Sequence, residues 1–198
     1  LAWNVPDFAA AQSGLHAALM IGAFFGTVIS LERAVALGRG WAYLAPAAAG
    51  FAGLCILTAA PLLATQLALL IASLVLLAAS LLVLRQLRAM FTTVLALAVA
   101  CWLIGNLAWL ASGNILPALP WWLAFLVLTI AAERLELTRL LPTPLRAKRL
   151  FPLFVAVLLT GATLSLFTSV GLQVFAAGLL LLAGWLMAYD IARRNMGF

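Results

Sequence analysis

The sequence predicts an all-α fold, a polytopic transmembrane bundle of about seven helices with its N-terminus outside and its C-terminus inside. Three observations predict it. Hydrophobic residues fill 67% of the 198 positions and charged residues 8%, with a mean hydropathy of +1.22. A soluble domain is about half apolar and about a quarter charged, so the surface of this chain must be covered by lipid. The length then admits about seven spans of roughly 20 residues each. Finally, a seven-span arrangement puts all the basic residues of the spans and loops on one side of the membrane, which the positive-inside rule makes the cytoplasm.

The spans follow from apolar runs cut at charges and at Pro/Gly breaks. They cover about residues 11–37, 41–64, 66–84, 91–111, 121–141, 150–169 and 172–189. Helices are required because an unpaired backbone in lipid is too costly, and barrel strands would alternate polar with apolar residues. Arg33 and Arg39 lie between spans one and two, and Arg85 and Arg88 between three and four. Arg134, Arg139, Arg146, Lys148 and Arg149 lie at or after the end of span five, and Arg193 and Arg194 follow span seven. Trp41, Tyr43, Trp185 and Tyr189 at the inner side, and Trp109, Trp121 and Trp122 at the outer, read as an interfacial aromatic belt. Position 1 is Leu, and no basic segment precedes the first apolar run, so a trimmed N-terminus is expected and not a cleavable signal peptide.

The chain reads as a single transmembrane domain with a weak internal duplication. Span one ends in SLERAVALGR and span five in AAERLELTR. Each is followed by a basic loop and a span with an early proline, Pro46 or Pro152, and each third span ends in a basic signature closed by Met90 or Met196. This is a parallel 3+1+3 repeat: about residues 11–90, a linker helix at about 91–112, and about 115–196.

The formal net charge of +6 would point to nucleic acid in a soluble chain; here it sets orientation, and the lipid bilayer is the partner instead. Cys55 and Cys101 sit in apolar runs without paired spacing, so neither a disulfide framework nor a zinc site is suggested. Lys148, the one lysine, falls in a loop, which excludes a retinal Schiff base. No nucleophile elbow, zinc-protease or P-loop motif is present, so binding is expected over catalysis.

Candidate site residues fall in two groups. Glu32, Glu133 and Glu136 stand at the inner ends of spans one and five, where an unpaired carboxylate in hydrocarbon is costly. Glu133 and Glu136 share a helix face at i,i+3, continued by Arg139. Three readings are open: the repeats cross-pair, Glu32 with Arg134 and Glu133 with Arg33; each Glu–Arg pair snorkels to the headgroups; or the carboxylates relay protons. At the outer side, His16 is the one histidine, Met20 lies one turn later, and Cys55 is at a comparable depth. These are candidate haem or copper ligands, since soft sulfur favours Cu(I). His16 and Met20 cannot flank one haem from a single helix, and one histidine excludes bis-histidine haem. Asn106, near mid-bilayer, is either interhelical glue or part of a site.

The run HAALMIGAFFGTVISLERAVALG, with His16, Gly22, Gly26 and Arg33, resembles the NnrS family of bacterial membrane proteins. WLIGNLAWL, FLVLTIAAERLELTRLL and YDIARR are similar to NnrS-like chains about twice this length, so the likeness covers an N-terminal half. The resemblance implies a multi-pass protein of the bacterial inner membrane linked to haem or copper, carried here by His16 alone. Two other functions remain open: an accessory subunit of a larger respiratory or photosynthetic complex, and a small-solute transporter with parallel three-helix repeats.

Overall fold

The computed structural model describes residues 14–137 and 145–189. Among the described residues it is all-helical, with seven helices, six of them long and apolar enough to cross a membrane. These are α1 (Ala18–Leu37), α2 (Gly40–Leu57), α3 (Leu62–Gln86), α4 (Met90–Ser112), α5 (Leu116–Leu137) and α7 (Val170–Tyr189). The remaining helix, α6 (Leu145–Leu164), begins in the basic segment, and its apolar part, Arg149–Leu164, is shorter.

Local chemistry sets the boundaries. α1 opens as a π-helix over Ala18–Phe25 and tightens to α geometry at Gly26, a wide turn often found where a helix serves a function. It stops at Gly38, which takes φ +64° and donates its N–H to Ala34 O at 3.0 Å, a conformation cheap for glycine. α2 ends earlier than the expected span: Ala59 takes φ +53° and Pro61 follows, so the chain turns after Leu57. α5 starts earlier than expected, because a short 3₁₀ turn at Leu116–Ala118 leads into it with proline in its first turn. Between α3 and α4, the Thr92 hydroxyl accepts the Ala89 N–H at 3.1 Å and lies 2.7 Å from Leu87 O, which caps α4.

Consecutive helices from α1 to α5 pack as antiparallel neighbours, and α1 also crosses α3. α6 and α7 form a close hairpin that leans on α5. The outer faces carry Leu63, Leu180 and Phe167, and small residues line the contacts, including Ala45, Ala49, Ala72, Ala98 and Ala131. Where lipid is as apolar as leucine, helices associate by close packing. In the hairpin, a Cβ at Gly161 would overlap the backbone of Phe175, so α6 and α7 approach main chain to main chain. At the centre, Trp102 stacks on Phe125 with ring centroids 5.1 Å apart, and its edge fills the space a Cβ on Gly26 would need.

One expectation is corrected here. Trp109, Trp121, Trp122 and Trp185 are buried and do not form an interfacial belt. Their indoles pack in the bundle: Trp109 meets Trp122 edge-on at 5.5 Å, and Trp185 meets Phe151 at 4.8 Å. Trp41 and Tyr43 are exposed, as a belt requires. The side chain of Tyr189, together with Arg139, Arg193, Arg194 and Met196, lies outside the described residues.

Candidate functional site

Helix direction gathers the ends of α1, α3 and α5 and the start of α4 at one end of the bundle, the basic end. There a cavity of about 410 Å³ opens between α1, α3 and α4. Arg33 and Arg39 line it together with Ser80, Gln86 and Thr92. Its apolar wall includes Ala79 and Leu95, both buried.

Arg33 is the central group. Its side chain is 22% exposed, and Nη2 donates to Glu133 Oε1 at 3.4 Å across from α1 to α5. The same nitrogen lies 4.0 Å from Glu32 Oε1 on its own helix. Its Nε is buried with no hydrogen-bond partner. A guanidinium carries five N–H donors, so a long single contact to Glu133 leaves donor capacity unused. The Glu133 side chain is 44% exposed, so the pair is a partly solvated one, of the kind that contributes about 1 kcal/mol or less. Of the expected cross-pairing, the structure brings Glu133 and Arg33 together, while the ion pair it gives Glu32 is with Arg33. Arg134 and Glu136 are exposed on α5.

The second polar centre lies inside the bundle. Asn106 on α4 donates from Nδ2 to Leu69 O and to Ser73 Oγ, each at 3.1 Å, and its Oδ1 accepts the Trp122 Nε1–H at 3.0 Å. It ties α3, α4 and α5 together. Closer to the opposite end, Gln66 donates to Trp109 O at 3.3 Å. Sequence reasoning passed over Gln66, Ser73 and Ser80, as it did the role of Arg39, Gln86 and Thr92 at the cavity. The signal was a spacing of seven along span three, which repeats one helix face.

The residues carried over for haem or copper are placed differently. His16 precedes α1 and is exposed, Met20 is 37% exposed, and Cys55 on α2 is buried beside a cavity of about 200 Å³ shared with Leu15. Two donors on the outside and one inside do not make a closed coordination shell. Among the described residues, no three His, Cys, Asp or Glu side chains cluster where a metal ion could be held. These residues do not fit a resident haem or copper ion as arranged.

No curated protein and no solved structure matches the chain. A family does, over residues 1–197, and its description is Domain of unknown function (DUF8744). A multi-pass helical bundle with a basic cavity at one end and a satisfied polar node at its centre is thus the architecture of a chain that belongs to the DUF8744 family.

Proposed function

We propose that this multi-pass membrane protein is a binding protein for an anionic ligand, held in the cavity at the basic end. One observation carries the reading: Arg33 and Arg39 line the cavity together, and the one hydrogen bond of the Arg33 guanidinium among the described residues is a long one, 3.4 Å, to Glu133. A phosphate or carboxylate supplies the charge-assisted partner that arginine geometry suits best. The basic loops support placing this end at the cytoplasmic face of a bacterial inner membrane. The Glu32–Arg33 and Glu133–Arg134 ends support a parallel 3+1+3 repeat.

Titration of inorganic phosphate into the purified chain in neutral detergent tests this. Saturable binding that weakens at least about tenfold in Arg33→Gln supports the reading; phosphate affinity indifferent to Arg33 removes it.

A second reading, a small-solute transporter, is favoured by one observation. Ser80 lines the cavity, and the face of α3 that carries it continues through Ser73 and Gln66 toward the opposite end, a polar row whose last two members bond within the bundle to Leu70 O, Asn106 and Trp109 O. Arg33-dependent uptake of phosphate into proteoliposomes would support it, and binding without uptake would exclude phosphate transport.

A further inference from the structure

The Arg33 cavity joins two kinds of surface. Arg33 and Arg39 supply positive charge, while Ala79 and Leu95 form a buried apolar floor and Ala36 and Leu87 are exposed at its edges. At 1.5 Å per residue, Arg33 lies about 6 Å inside the Leu37 end of α1, and Ala79 about 10 Å inside the Gln86 end of α3. The charged groups therefore stand near headgroup depth and the floor reaches into the hydrocarbon layer. A free oxyanion is hydrated on every side and gains nothing from that floor; placed against it, the ion would lose water without replacement. A ligand with one acidic end and one apolar end matches both surfaces. Basic pockets between membrane helices recognise lipid headgroups on these terms.

Resting on the anion-site reading, we propose that the ligand is an acidic amphiphile, its phosphate or carboxylate on Arg33 and Arg39 and its chain along Ala79 and Leu95. Glu133 is the counter-ion that the headgroup replaces. It holds Arg33 through one long contact of 3.4 Å from Nη2, so an incoming oxyanion competes with a weak partner for a guanidinium that has five N–H donors. Neutralising Glu133 removes this competitor and strengthens binding.

The test compares three probes on the full chain in neutral detergent: inorganic phosphate, hexyl phosphate and hexanol. Hexyl phosphate is expected to bind at least about tenfold more tightly than phosphate, while hexanol shows no saturable binding. Arg33→Gln is expected to weaken hexyl phosphate at least about tenfold, with Arg33→Lys retaining part of the affinity and Glu133→Gln raising it about threefold. An unchanged helical circular dichroism spectrum and melting curve establish that the variants fold. Equal, Arg33-dependent affinities for phosphate and hexyl phosphate would overturn the amphiphile while leaving the anion site in place. Affinities independent of Arg33 would overturn both.

Native mass spectrometry after transfer from mixed phosphatidylglycerol and phosphatidylcholine micelles then distinguishes the sources of the headgroup. Phosphatidylglycerol retained by the wild type and lost from Arg33→Gln assigns a bilayer lipid. Hexyl phosphate binding without retained lipid assigns a soluble amphiphile, which equally supports the proposal.

Discussion

Asn106 joins three helices of an apolar bundle by polar contacts and Arg33 joins two, but their surroundings differ. Asn106 is 1% exposed and uses both amide hydrogens and its oxygen on α3 and α5 partners. Arg33 has a long contact to Glu133, a buried Nε without an acceptor, and a cavity of about 410 Å³ beside it. A polar group whose capacity is fully spent on its neighbours has nothing left for a ligand. In membrane bundles such groups fix which helices meet and in what register. A group with unspent donors next to open volume keeps capacity for an occupant, which is the ground of the proposal for Arg33. Polarity inside a membrane protein therefore separates into structure and site by its hydrogen-bond account, not by residue type alone.

Substitutions at the two places should separate in the same way. The largest effect on stability is expected from Asn106→Ala. It strands the Trp122 N–H, removes the donor to Leu69 O and to Ser73 Oγ (whose own hydroxyl still donates to Leu70 O), and breaks contacts among three helices, a loss of about 2 kcal/mol. Thermal melting in detergent measures it, and phosphate affinity should stay within about twofold of wild type. Gly105→Ala comes next. Its Cβ would lie 2.5 Å from Trp122 Cδ1 and 2.7 Å from Nε1, so the indole must move and the bond to Asn106 lengthens. A loss of about 1–2 kcal/mol is expected, with a change in tryptophan fluorescence. The smallest stability effect is expected from Arg33→Gln, at or below about 1 kcal/mol for a partly solvated pair, although it weakens phosphate binding at least about tenfold.

Much of the fold was legible because lipid imposes simple rules. The run of apolar residues, the breaks at Gly38 and Gly113, and the basic residues at alternate connections fix the helices and their direction. Where boundaries moved, a local cause is visible: Ala59 in the left-handed region ended α2, and a proline-led 3₁₀ turn started α5 early. The belt reading failed at Trp109, Trp121, Trp122 and Trp185 because depth along a helix says nothing of which way a residue faces. With apolar residues on all sides, no periodicity marks the inward face, so burial is decided by packing against glycines such as Gly105 and Gly26.

The candidate site was legible in part. Glu32, Arg33, Glu133 and Arg134 stood out as costly charges, and Asn106 as glue or site. The cavity was not legible, because it is lined by the ends of three separate spans. Arg39 reads as a loop charge, Gln86 as a helix end, and Thr92 as a cap; only the three-dimensional arrangement makes the first of these a second cation beside Arg33. The serines and glutamine of α3 were hidden by their hydrophobic neighbours, although their spacing of seven places them on one face.

The most direct test sets Arg33→Gln beside Asn106→Ala and measures both melting and phosphate affinity for each. The expected result is a crossed pattern: Arg33→Gln keeps its melting temperature and loses binding by at least about tenfold, while Asn106→Ala melts lower and binds as the wild type does. Equal losses of binding in the two variants, or phosphate affinity unaffected by Arg33→Gln, would contradict the assignment of Asn106 to the framework and Arg33 to the site.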